Sequence, residues 1–220
     1  MRFLSQAQGT VRNMASEGRS RPAAHDGVPT RARVLVGGGI GAGKSSVVAL
    51  FADAGYHVIV ADDVGRSVLS PGAPAVTAVA HLWPDVVHEG VVDRSALAGI
   101  VFADAPSLAA LESITHPVIA DAIAAEIEVH RTKAVCVEVP VLGMLEAPTW
   151  HRVAVVAPID VRLARAVGRG GDADDIRRRM ASQPDDETWR AWADTVIDNG
   201  GAWADTERFV AQIVAELRAR

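Results

Sequence analysis

Short apolar runs bounded by turn residues recur along this chain, and each has the length and flanks of a buried strand. They fall at residues 32–36, 57–61, 134–138, 153–157 and 195–197. Between them the apolar period lengthens. Residues 45–54 place Val47, Leu50, Phe51 and Ala54 at helical spacing, with Gly55 as the stop. Residues 205–218 place Phe209, Ile213, Val214 and Leu217 in the same way and close the chain. Alternating strands and helices predict an α/β fold, with a mostly parallel five-stranded sheet covered by helices on both faces.

Roughly seventy residues separate the second strand from the third, too many for one crossover helix. The pattern predicts helices at 63–69, 75–82, 94–101 and 108–114. A longer one starts at Pro117, in its first turn, and runs through Ile119, Ile123 and Ile127. Residues 83–85 and the Gly90 region are expected as loops. This helical insertion, about 63–131, suits acceptor binding. No apolar run is expected to reach membrane-spanning length. A second helical arm, about 160–190, follows the fourth strand and carries Arg162, Arg165, Arg169 and Arg177 to Arg179. After Gly170-Gly171, Asp172 is placed to cap a helix. Arg165 and Arg169, four apart, share a face and suit convergence on one anion. Arg177 to Arg179 fit a water-facing helix equally well.

One motif carries specific chemistry. Gly38-Gly39-Ile40-Gly41-Ala42-Gly43-Lys44-Ser45 fills every fixed position of the phosphate-binding loop, and it sits between a strand and a helix. Its glycines let amide N–H groups turn inward at phosphate oxygens, and the helix start adds partial positive charge. Of 22 cationic residues only Lys44 and Lys133 are lysine, so a chain that otherwise writes its cations as arginine places lysine at this spot. A compact ammonium on a thin stem fits where a guanidinium would crowd. The motif implies a nucleoside triphosphate, with Lys44 on the β/γ-phosphates, Ser45 on a magnesium ion, and Ser46 continuing the helix start.

Three acids stand at carboxyl ends of strands, where ligands bind in open α/β sheets. Asp62, with Asp63, follows the second strand and can accept or orient an acceptor proton. Glu138 ends the third and suits a metal's water shell. Asp198 ends the fifth. His57, His81, His88, His130 and His151 show no metal-ligand spacing, so no zinc site is expected. Trp189 and Trp192 share a helix face and suit packing.

A net charge of −5 argues against a general nucleic-acid binder. Cys136, the single cysteine, excludes an internal disulfide, fits a reducing cytoplasm and suits a strand core. Residues 1–31 are arginine-rich with no apolar central stretch, unlike a secretory signal, and are expected to be a disordered tail or leader outside the domain, which then spans 32–220.

Taken together, several segments resemble the dephospho-coenzyme A kinase family of P-loop kinases. They are the loop itself, Ala61-Asp62 with Arg66, residues 70–75, 92–97 and 100–104, His116-Pro117, residues 139–142, and 193–199. The resemblance implies a P-loop three-layer sandwich with a helical insertion and a helical lid. It also implies transfer of the ATP γ-phosphate to the ribose 3′-hydroxyl of dephospho-coenzyme A. On that pattern Asp62 approaches the hydroxyl, and Arg66, His116, Pro140 and Leu142 lie on the acceptor side. Arg165 and Arg169 meet the transferring phosphate, and Asn199 lies by the adenine. The implied protein is a cytoplasmic monomer or weak homo-oligomer with no membrane partner. Four positions depart from the pattern: Gly37 for a threonine, Val60 for an acid, Met144 for a glutamate, and Gly170 for an aspartate. Two alternatives therefore stay open: a kinase for another small hydroxyl or nucleotide, and a nucleotide-binding regulator with little catalysis.

Overall fold

A computed structural model of the chain describes residues 32–145 and 149–219. The expected leader, residues 1–31, lies outside the described residues. The first strand, β1 (Arg33–Gly37), enters the phosphate loop and continues into helix α1 (Lys44–Asp53). Strand β2 (His57–Val60) comes next, and helix α2 (Ala61–Ser67) starts on the following residue. Helices α3 (Pro74–Leu82), α4 (Arg94–Val101) and α5 (Ala105–Val129) flank a small hairpin, β3 (Val87–His88) and β4 (Val91–Val92). Strands β5 (Val135–Glu138) and β6 (His151–Val156) lead to helices α6 (Ile159–Val167), α7 (Ala173–Ala181) and α8 (Asp186–Trp192). Strand β7 (Thr195–Asp198) and helix α9 (Trp203–Ala219) end the domain.

The main sheet has the order β2-β5-β1-β6-β7, and every pairing in it is parallel, as the alternation predicts. Its two faces follow from the period-two rule of strands. Val34, Val36, Cys136, Val153 and Val155 point to one face, where Val47, Val48 and Phe51 of α1 and Val210, Ile213 and Val214 of α9 cover them. Leu35, Val135 and Val137 point to the other, against Ile119 and Ile123 of α5. Ala154 and Val156, further along that face, meet Trp189 of α8. Cys136 is fully buried, and desolvation drives its thiol far above the ordinary range, so it is a packing residue.

Register brings the chemistry together. Val36, Glu138 and Val60 lie side by side across β1, β5 and β2, so the phosphate loop, Glu138 and Asp62 all emerge at one edge.

Three expectations are corrected. Pro117 does not start a helix; it lies inside α5, which runs unbroken for 25 residues. Proline removes one backbone donor, but packing against α2, α3 and α4 holds the helix on course. Joined in this way, α5 is long and apolar enough to cross a membrane by length and composition, contrary to the reading from two shorter pieces. Ile119 and Ile123 on it pack against the sheet, and Leu108 and Leu111 against the α3–α4 cluster, while Val129 is exposed. The third correction is residues 83–85, expected as loop; the Gly90 region is a turn, as expected. Pro84–Val86 forms a 3-10 turn, and Glu89 and Gly90 both adopt positive φ (51° and 79°), the signature of a two-residue turn that closes β3 onto β4.

Candidate active site

The phosphate loop is held from several directions before any nucleotide arrives. Gly43 caps α1 in the left-handed region (φ 98°), and a Cβ there would sit 2.1 Å from Asn199 Nδ2. A Cβ on Gly41 (φ 76°) would meet the Arg162 carbonyl oxygen at 2.2 Å. Gly37 is explained too: any side chain would collide with Trp189, whose Cζ3 lies 2.4 Å from the ideal Cβ position. The threonine of the family pattern has no room against this tryptophan.

Three side chains from later elements fasten the loop backbone. Arg162, only 4 % exposed, donates from Nε to the Ile40 carbonyl at 2.9 Å and from Nη1 to Asp186 at 2.8 Å. Gln183, just past α7, accepts from the Ile40 N–H at 2.8 Å. Buried Asn199 donates from Nδ2 to the Ala42 carbonyl at 2.8 Å, and its Oδ1 accepts from Thr206 at 3.0 Å. Arg162 thus serves the loop's shape, not an arm free to reach substrate. Replacing it leaves Ile40 and half-exposed Asp186 without their donor. Arg162→Ala is expected to cost about 2 kcal/mol, a fall of roughly 4–8 °C in Tm by calorimetry.

Lys44 Nζ lies 3.0 Å from the Gly38 carbonyl and 3.5 Å from that of Gly39. Burial holds its pKa below the ordinary lysine value, while Glu138 and Asp62 pull it back up and Arg162 and Arg169 push it down. Those two acids and Arg169 therefore converge electrostatically on the lysine. Ser45 Oγ approaches Glu138 Oε1 at 3.4 Å. Glu138 is 8 % exposed, and its other oxygen, Oε2, is buried with no hydrogen-bond partner. A hydroxyl beside an unsatisfied carboxylate oxygen is a hard-oxygen pair that suits a magnesium ion. Ser46 is exposed in the first turn, its N–H bonded to Gly43.

Burial raises the Glu138 pKa above its ordinary value of 4.5, against the opposing pull of Lys44 and Ser45. A raised native value means the folded state keeps the proton that the unfolded state has already released. Stability therefore falls as pH rises from the unfolded value towards the native one, and the penalty is complete above it. Metal-free Glu138→Gln is expected to melt above wild type near neutral pH, with the gap closing as pH falls to about 4. Paired thermal melts across that range check the sign.

Asp62 sits exposed in the first turn of α2 and lines a cleft of ≈ 340 Å³ with Arg66, Leu69, Arg94, Leu97, Phe102, Leu111 and Met144, among others. Arg66 pairs with Asp63, and its carbonyl accepts from Arg94. His116 is half-buried on α5 and is not among the residues lining this cleft. Pro140 is half-buried just past β5, and Leu142 packs beside Ala154, Val156 and Trp189. Arg165 donates from Nη2 to the Asn199 carbonyl at 2.8 Å, while its Nη1 is buried without a partner near the loop. Arg169 is exposed. Arg177 and Arg178 pair with Asp174 and Asp175 on the surface of α7, which Asp172 caps as expected.

The sequence pattern gives no sign of Gln183, because it acts through a contact distant in sequence. Arg94 and Phe102 fall in segments that carry the family resemblance, but nothing local assigns them to the cleft wall.

The Dephospho-CoA kinase family pattern matches residues 33–205, most of the chain and all of the elements just described up to the start of α9. This chain belongs to the dephospho-CoA kinase family. It is 39% identical over 188 residues to a dephospho-CoA kinase of Frankia casuarinae, covering 83% of this chain and 82% of that one. Among solved structures it resembles TT1252 from Thermus thermophilus, with a TM-score of 0.74 and 30% identity, covering 86% of this chain and 99% of the other. A dephospho-CoA kinase from Campylobacter jejuni superimposes with a TM-score of 0.58 over 86% of this chain and 98% of the other. At 23% identity that likeness shows the fold alone.

Proposed function

We propose that this family member transfers the γ-phosphate of ATP to the ribose 3′-hydroxyl of dephospho-CoA, giving CoA. One observation supports the reading above the rest: the loop lysine, Glu138 and Asp62 share one sheet edge, with Asp62 opening into the apolar-floored cleft. Phosphoryl transfer asks a protein mainly for position and charge. In this reading the loop amides from Gly38 to Ser45, with Ile40 and Ala42 shaped from behind, cradle the triphosphate. Lys44 balances the β/γ-phosphate charge. Ser45 and Glu138, the latter through water, would hold a magnesium ion, which when bound neutralises phosphate charge.

Asp62 accepts or orients the acceptor proton. Arg66 flanks it in the cleft, while His116, Pro140 and Leu142 shape the acceptor side from behind. Arg165, with its unpartnered Nη1 beside the loop, and Arg169, near Lys44, supply cations to the transferring phosphate. Asn199 holds the loop with its side chain and leaves its neighbours to meet the adenine. Residues 63–131 then act as the acceptor-binding insertion and 160–190 as the lid.

Met144, on the cleft wall where the family pattern carries a glutamate, favours a second reading in which another small hydroxyl is the acceptor. Purified protein with Mg-ATP and a panel of acceptors separates the two. Dephospho-CoA alone is expected to raise ADP release and to yield CoA; a different acceptor, or none, overturns the first reading.

A further inference from the structure

Among the described residues, one cluster away from the phosphate loop has the donor set of a metal centre. His57 opens β2, while Glu126 and His130 lie four residues apart at the end of α5 and so share a face. His57 Nε2 lies 2.7 Å from Glu126 Oε1. The His57 and His130 rings stack with centroids 3.6 Å apart and 29° between planes. One donor atom from each of the three residues lies within 4.8 Å of the other two. All three side chains are partly exposed, so solvent reaches them.

A hydrogen bond accounts for His57 with Glu126, but it does not account for a second imidazole laid against the first.

We propose that His57, Glu126 and His130 form a binding site for a divalent transition metal, with zinc as its representative. Two imidazole nitrogens and a carboxylate are a zinc-type donor set, whereas magnesium prefers oxygen alone. Zinc bonds of about 2.1 Å place neighbouring tetrahedral donors about 3.4 Å apart. The His57–Glu126 pair therefore opens slightly and His130 moves in, which side-chain torsions can supply. Three protein ligands leave one position for water. The site is separate from the phosphate pocket, since His57 and Val60 are opposite ends of β2, about 10 Å apart. Occupancy would tie the last turn of α5 to the strand that leads to Asp62.

Zinc chloride alone, titrated calorimetrically into the full chain in excess magnesium, tests the site. One saturable equivalent per chain is expected, kept in Glu138→Gln and weakened at least tenfold in both His130→Asn and Glu126→Gln. Both changes are at the partly exposed end of a helix, so the fold does not depend on them. Cobalt(II) gives an independent reading: a visible ligand-field band in wild type that His130→Asn loses. No saturable binding, or binding unaffected by both substitutions, overturns the proposal.

Discussion

Lys44→Ala abolishes phosphoryl transfer, with kcat expected to fall by roughly a thousandfold or more, the size seen when a charge-stabilising group is removed from a transition state. The reason lies in where this ammonium is held. Its stem runs back along the loop, so that Nζ rests against the Gly38 and Gly39 carbonyls, inside the curve that the amides define. Burial makes its charge costly, and Glu138 and Asp62 compensate. Removing the ammonium leaves the triphosphate without its central cation and Glu138 without the group that draws its pKa down. Lys44→Arg should not rescue, because the wider guanidinium cannot share the space the loop leaves. Steady-state ADP release with saturating dephospho-CoA is the measurement, and a kcat within tenfold of wild type would remove Lys44 from its role.

Asp62→Asn separates chemistry from binding. Turnover is expected to fall at least about a hundredfold, typical of a lost acid–base group, while ATP affinity stays close to wild type. The side chain is exposed, and among the described residues no hydrogen bond ties it to the fold, so Tm should not move. An amide keeps the size of the carboxylate but loses its negative charge and its ability to take a proton. Equilibrium nucleotide binding and single-turnover transfer, measured on the same preparation, distinguish this outcome from general damage. Unchanged turnover would mean that the acceptor hydroxyl loses its proton elsewhere.

Much of this architecture is local chemistry, and local chemistry can be read. Val34, Leu35 and Val36 announce a strand, and the glycines with Lys44 and Ser45 announce the phosphate loop at its carboxyl end. Asp172 caps α7 through two amides, as its position suggested. Pro117 misled, because a proline preference is worth a few kcal/mol and three packed helices outweigh it. Chain proximity groups Arg162 with Arg165 and Arg169, yet it alone turns inward to Ile40 and Asp186. Nothing within a few residues distinguishes it. The same holds for His57, Glu126 and His130: no sequence spacing links position 57 to positions 126 and 130, and only the return of β2 alongside α5 brings them together.

The amide that pins Ala42 comes from a residue 157 positions downstream, and its own partner, Thr206, lies seven further on. Synthesis therefore delivers the glycine turn well before its fastening. A nascent chain still short of its final helix carries the recognisable motif without the scaffold that sets its curvature. At a synthesis rate of about 5–20 residues per second, competence to grip nucleotide thus trails the motif by roughly 8–30 seconds.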